Sequence, residues 1–225
     1  GFVIINSYVG LIFNAMGIDY FPRLVSVAKH NNKLEKLINE QIDVALIIVG
    51  PIIIIFMIFL KWIILLLYSI EFLEIKEMLY YASLGMFFKS IAWAISYVFL
   101  AKSDKKTYLI SETLFNLYFF IFNCLSYSYF GLTGMGISFL ISNFFFFLQV
   151  FYLAKNKYDF SFNSNTQKII IIQLILGISC FVVIKFSGHY SYFVLLTIIL
   201  FLAISFSYLK LSKMVDLKKI LRINK

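Results

Sequence analysis

Apolar runs of about 20 residues, six complete and one partial, take up most of this 225-residue chain, and only short polar connections separate them. Inside hydrocarbon a backbone amide finds no water, so segments of this kind persist only as helices that satisfy their own hydrogen bonds. The chain is therefore expected to be an all-α polytopic membrane protein with six full transmembrane helices plus one partial. Spans are predicted at about 2–18 (partial), 44–68, 78–101, 107–129, 134–154, 168–187 and 191–210. Charged residues make up 14% of the chain, well below the roughly one quarter of soluble domains, which leaves little room for a soluble catalytic domain.

The stretch 1–18 has no basic flank and no small-residue cleavage site, so it reads as the end of a truncated transmembrane helix and not as a signal peptide. The chain is expected to be the C-terminal part of a longer protein. Residues 19–43 read as a cytoplasmic amphipathic segment lying on the membrane, with Leu24, Val27, Leu34, Leu37 and Ile38 on its apolar side. Residues 44–154 hold four spans, 155–167 form a polar cytoplasmic loop that sets the last two helices apart, 168–210 hold those two helices, and 211–225 are a basic tail.

Charge in the loops gives the orientation. Of the 20 basic residues, one set of alternate loops holds Arg23, Lys29, Lys33, Lys36, Lys102, Lys105, Lys106, Lys155, Lys157, Lys168, Lys210, Lys213, Lys218, Lys219, Arg222 and Lys225. The other set holds only Lys76 and Lys185, and Lys61 and Lys89 fall within spans. The first set, and with it the C-terminus, is expected on the cytoplasmic side. The net charge of +9 is an orientation signal and does not point to nucleic acid. Tyr20, Tyr68, Tyr80, Tyr81, Tyr97, Tyr127, Tyr129, Tyr152 and Tyr208 gather near span ends, as an interfacial aromatic belt requires.

Chemistry is sought first among charges inside spans, since an intramembrane charge usually faces a bundle interior or a water-filled cavity. Lys89 falls near mid-membrane, about 18 Å deep, too far for its ammonium to reach water easily. Glu112 falls about 9 Å deep on the next span and is open to three readings: a carboxylate reaching the surface, a proton or cation coupling site, or a partner to Lys89. Lys61 either lines the cavity or reaches outward. Asn116, Asn123, Asn143, Gln149 and Gln173 are intramembrane amides, mostly interhelical hydrogen-bonding groups, with Asn116 kept as a cavity candidate. Gly50-Pro51 interrupts the second span and makes Pro51 a hinge candidate, since proline removes one helical hydrogen bond. Gly131, Gly134 and Gly136 mark a short external turn that allows close backbone approach. Cys124 and Cys180 read as small apolar residues, His30 and His189 fall on opposite faces, and no zinc spacing, nucleophile elbow or phosphate loop occurs, so neither metal nor cofactor is expected.

Several strings carry a resemblance. They are Gly17-Ile18-Asp19-Tyr20-Phe21-Pro22-Arg23-Leu24, Asn39-Glu40-Gln41, Leu67-Tyr68-Ser69-Ile70-Glu71-Phe72, Leu100-Ala101-Lys102 with Glu112 beyond, and Gly131-Leu132-Thr133-Gly134-Met135-Gly136. In this order and placement they resemble Wzx-type O-antigen translocases, flippases of the multidrug/oligosaccharidyl-lipid/polysaccharide exporter superfamily, over about residues 8–155. The resemblance implies a two-bundle, alternating-access transporter of the bacterial inner membrane in which this chain is the second bundle. It implies as cargo an undecaprenyl-diphosphate-linked oligosaccharide, an O-antigen repeat unit used in lipopolysaccharide or other surface polysaccharide biosynthesis. It also implies a missing N-terminal bundle as partner, without which the chain alone should flip nothing. Membrane lipids, glycan polymerase and chain-length machinery are further expected partners. A drug or metabolite exporter of the same superfamily is the main alternative, and a membrane-embedded glycan polymerase or transferase the next. Two intramembrane lysines against one carboxylate favour an anionic cargo, and no external loop carries a His–carboxylate pair for catalysis.

Overall fold

The computed structural model describes residues 2–68, 70–186 and 191–214, with side chains from residue 10 onward except at 191. Its long helices are α1 (Phe2–Val27), α2 (Asn31–Leu67), α3 (Lys76–Ala101), α4 (Lys105–Tyr158), α5 (Ser164–Phe186) and α6 (Ser191–Met214), with a short 3-10 helix at Ile70–Ile75. No strand occurs among the described residues. Five of these helices are long and apolar enough to cross a membrane. The fold is all-helical and that of a multi-pass membrane protein.

α3 lies at the centre, packed on α1, α2, α4 and α5. Its buried face carries Ala82, Ser83, Gly85, Ser90, Ala92 and Ala94, small residues that let neighbouring helices approach. Large apolar side chains point outward from the other helices: Phe120 on α4 is 67% exposed and Phe201 on α6 69%. Such a surface needs lipid or another protein segment to cover it.

α4 runs over 54 residues but is a hairpin. At Gly131 the backbone takes φ 56°, ψ −139°, a conformation that glycine adopts without strain. The two arms then pair at positions nearly equidistant from Gly131. Ser138 Oγ donates to Asn123 Oδ1 (2.8 Å), the rings of Phe115 and Phe146 lie 4.6 Å apart, and Gln149 Nε2 donates to Ser111 Oγ (2.7 Å). The predicted spans at about 107–129 and 134–154 are these two arms. Gly136 sits where the second arm crosses α3; a Cβ built there would lie 2.2 Å from the Met78 carbonyl oxygen.

The segment 19–43, expected to form one surface helix, is shared between two. α1 continues through Pro22 to Val27, the chain turns at 28–30, and α2 starts at Asn31 and runs on unbroken past Pro51. Leu24, Leu34, Leu37 and Ile38 are buried in the bundle, so their apolar surface is spent on helix packing and not on the membrane. The polar 155–167 segment is likewise docked, not a spacer. Asn39 Nδ2 donates to Ser161 O (2.9 Å), Asn163 N donates to Asn39 Oδ1 (3.1 Å) and Asn165 Nδ2 donates to Asp43 Oδ2 (2.6 Å), which fixes the start of α5 to α2.

The basic connections meet at one end of the bundle. Lys102 Nζ donates to Asn31 Oδ1 at 2.6 Å, and Lys157 Nζ to Asp104 Oδ2 at 2.8 Å. Asp104 also caps α4, accepting from Thr107 N (3.1 Å) and Thr107 Oγ1 (2.7 Å), and takes a third side-chain bond from Tyr158 OH (2.9 Å). The Lys157 ammonium first, then the Thr107 hydroxyl, hold the Asp104 carboxyl well below the usual carboxylate range. A carboxyl with a depressed folded-state pKa stabilises above its unfolded value of about 3.9, and that contribution fades as pH falls further. Asp104→Asn is therefore expected to lower stability by about 1 kcal/mol at neutral pH, with the gap to wild type narrowing below about pH 4. Thermal unfolding in detergent across pH measures this. At the other end, Lys185 Nζ donates to Tyr81 OH (2.7 Å) and lies 3.6 Å from Glu77, tying α5 to α3. His189 and the tail from 215 onward fall outside the described residues.

Candidate functional site

A cavity of about 420 Å³ opens between α1, α3 and both arms of α4. Each helix contributes side chains at three- or four-residue spacing, the repeat that keeps residues on one helical face. α1 gives Gly10, Phe13 and Asn14; α3 gives Lys89, Trp93, Ser96 and Tyr97; the arms of α4 give Tyr108, Glu112 and Phe115, then Asn143 and Phe146.

Lys89 and Glu112 thus line one cavity. Both are partly buried, and each feels the other's charge. Lys89 Nζ also lies 5.6 Å from the Phe139 ring centre, close enough for a cation–π contribution. The two, expected to differ in depth by about 9 Å, line the same cavity. A cation and a carboxylate in one apolar-walled cavity can hold a dipolar or charged guest more strongly than in water, because the local dielectric is low.

Aromatic rings line the cavity beside the charges. Phe13 stacks on Trp93 with ring centres 5.1 Å apart and planes 15° from parallel, and Trp93 meets Tyr97 at 5.3 Å. Tyr20, fully buried below them, fixes α1 to α3 by donating to Ala94 O at 2.8 Å. Ser96 Oγ bonds back to Trp93 O (3.1 Å) and Asn143 Nδ2 to Phe139 O (2.8 Å), which ties up these polar groups within their own helices.

The other residues singled out from the sequence lie elsewhere. Lys61 is exposed on α2 and lines no part of this cavity. Asn116 is one turn beyond Glu112 but exposed, its Nδ2 donating back to Glu112 O (2.8 Å). Pro51 is buried within a continuous α2, and a Cβ at the preceding Gly50 would lie 2.3 Å from Gln173 Oε1, so this stretch is where α5 packs closely on α2. Gln149, Gln173 and Asn123 act between helices, as intramembrane amides usually do: Gln173 Nε2 donates to Ser207 Oγ on α6 (3.1 Å). Cys124 is exposed and Cys180 buried, both as free thiols, and among the described residues no group of three or more His, Cys, Asp or Glu could hold a metal.

Sequence reading missed Trp93, Tyr97, Tyr108, Phe13 and Asn14. The signal was present in their spacing: Trp93 follows Lys89 by one turn, and Tyr108 and Phe115 flank Glu112 by one turn each.

The helical fold matches a solved structure. The structure solved as lipid II flippase MurJ in an inward closed conformation superposes with a TM-score of 0.65 and 18% sequence identity, over 92% of this chain and 45% of that one. The chain thus spans less than half the length of that protein. No protein-family model and no curated protein matches the sequence. The fold is MurJ-like.

Proposed function

We propose that this chain is the second bundle of an inner-membrane flippase that moves an undecaprenyl-diphosphate-linked oligosaccharide, an O-antigen repeat unit, to the outer leaflet by alternating access. The observation that carries the reading is the cavity holding Lys89 and Glu112 within a MurJ-like fold. In this reading the diphosphate is the anionic guest of Lys89, which offsets part of its desolvation. The isoprenoid tail stays in lipid, against the apolar outer faces of the bundle. Glu112 is the coupling candidate, since a cation or proton binding there changes the charge that Lys89 offers. Pro51 is kept as a hinge candidate, because its missing N–H leaves one turn of α2 without its backbone bond. Lys61 and Asn116, outside the cavity, are assigned to a surface that an N-terminal bundle of the same protein covers. The positive-inside distribution orients the C-terminus to the cytoplasm. Glycan polymerase and chain-length machinery are the partners this role implies.

One observation favours a second reading. The aromatic wall of Phe13, Trp93, Tyr97, Tyr108 and Phe115, with Glu112 among it, also suits an organic cation. That would make the protein a drug or metabolite exporter of similar fold.

The test is complementation. The complete gene is expressed in a bacterium that lacks its own O-antigen flippase and makes the matching glycan. The flippase reading expects surface glycan to return and inner-leaflet precursor to fall. Unchanged precursor at good membrane expression, with organic-cation resistance gained instead, moves the exporter reading ahead.

A further inference from the structure

A second cavity, of about 510 Å³, lies at the basic end of the bundle, between the end of α1, the start of α2, the loop before α5 and the end of α6. Arg23 and Lys36 line it, and Lys210 stands beside it, donating to Oδ1 of the lining Asn165 at 2.6 Å. Two carboxylates lie here as well, and each is met within the protein. Glu40 lies 3.9 Å from the Lys36 ammonium. Asp43 is 4% exposed and offers little to a guest: its Oδ2 accepts from Asn165 Nδ2 at 2.6 Å, its Oδ1 has almost no accessible surface, and the Lys210 charge offsets its own.

The hydrogen-bonding capacity left open here lies with donors. The Arg23 guanidinium carries five N–H groups and donates once, to Asp19 Oδ2 at 3.1 Å, in a surface pair exposed enough to hold it only weakly. Lys36 makes no hydrogen bond among the described residues, only the long pair with Glu40. Gln41 is 9% exposed and lines the cavity, yet its amide has no hydrogen-bond partner among the described residues. A nearly buried amide without a partner calls for a guest that can pair with it. Two cations and an amide donor suit an oxyanion. Leu37, Val44 and Met214 add apolar surface to the same lining.

We propose that this cavity holds the headgroup of an acidic phospholipid, its phosphate met by Arg23, Lys36 and the Gln41 amide and its glycerol end by Leu37, Val44 and Met214. Loop charge is expected to place this end at the cytoplasmic face of a membrane, where acidic lipids present phosphate beside apolar chains. A lining both cationic and apolar matches that pairing better than it matches free phosphate. The bound lipid bridges α1, α2 and α6. The inference stands independently of the flippase reading and of the cavity at Lys89.

The experiment titrates the purified full chain in detergent with phosphatidylglycerol and counts bound lipid by native mass spectrometry. Phosphatidylcholine of the same chains and inorganic phosphate are the comparison probes. Wild type is expected to hold phosphatidylglycerol about tenfold or more tightly than phosphatidylcholine, and not to lose it to inorganic phosphate. The double variant Arg23→Gln/Lys36→Gln should weaken that binding about tenfold or more, and Lys105→Gln/Lys106→Gln, which removes the same charge from exposed positions outside the lining, by no more than about twofold. Gln41→Leu separates binding from folding. Without lipid it should unfold no earlier than wild type, since an unpartnered amide gives way to an apolar group of similar size, but its Tm should rise less on adding phosphatidylglycerol. Equal binding of the two lipids, equal loss in the two double variants, displacement by inorganic phosphate, or an undiminished rise in Tm for Gln41→Leu would each overturn the proposal.

Discussion

Lys89→Ala in the complete protein is expected to leave lipid-linked precursor trapped in the inner leaflet at normal membrane abundance. Lys89 sits halfway along α3 and reaches a cavity walled by three helices. A guest diphosphate that loses the cation lining this cavity must be desolvated without that compensation. Truncating one side of a buried charge pair typically costs roughly 2–5 kcal/mol, so transport should fall at least about thirtyfold. Lys89→Arg, which keeps the charge, should retain much of it. Glu112→Gln separates the two cargo readings. For an anionic cargo it leaves guest binding intact and alters the pH or ion dependence of transport; for an organic cation it abolishes binding, and Lys89→Ala does not. Leaflet-resolved measurement of precursor, at matched protein levels, reads both variants.

Gly136→Val is expected to cost more of the folded protein than any cavity variant. The position has no room for a Cβ, which would fall 2.2 Å from the Met78 carbonyl oxygen, a backbone atom held within α3. Relief requires α3 and the second arm of α4 to separate, and this contact organises the whole bundle because α3 touches four of the other helices. Overpacking of this kind costs roughly 1–3 kcal/mol when side chains can yield, and a backbone contact should reach or exceed the upper figure. The checks are Tm and the fraction of protein that elutes as a single species in detergent. Gly10→Ala is the control, because a Cβ there meets nothing within 4 Å. A Gly136→Val protein as stable as the control would contradict the packing described.

Much of the fold was legible because membrane helices announce themselves by length and apolarity. The spans that became α3, α5 and α6, and the two arms of α4, lie where hydropathy placed them. The Gly131-Leu132-Thr133-Gly134-Met135-Gly136 string read correctly as a turn with close backbone approach, since glycine has a specific physical use there. The 19–43 segment read poorly. Its apolar stripe is real, but a stripe says only that one side is covered, not whether lipid or protein covers it. The polar 155–167 loop failed for a similar reason: its Asn and Ser residues look like a spacer until Asn39 and Asp43 are seen opposite them. At the site, charge drew the eye to Lys89 and Glu112 and passed over the aromatic wall, because Trp93 and Tyr97 look like any other apolar residues until the face they share with Lys89 is counted out. Lys61 shows the limit of charge alone, since an intramembrane lysine can equally face outward.

Transport of a lipid-linked oligosaccharide through the Lys89 cavity is the role we propose for this fold. Its most direct test is reconstitution of the complete protein in vesicles loaded on one leaflet with undecaprenyl-diphosphate-linked repeat unit, followed by the appearance of that glycan on the other leaflet. Transfer is expected well above that in protein-free vesicles, lost in Lys89→Ala and retained in Lys89→Arg. Transfer that is equal in wild type, Lys89→Ala and empty vesicles would contradict it.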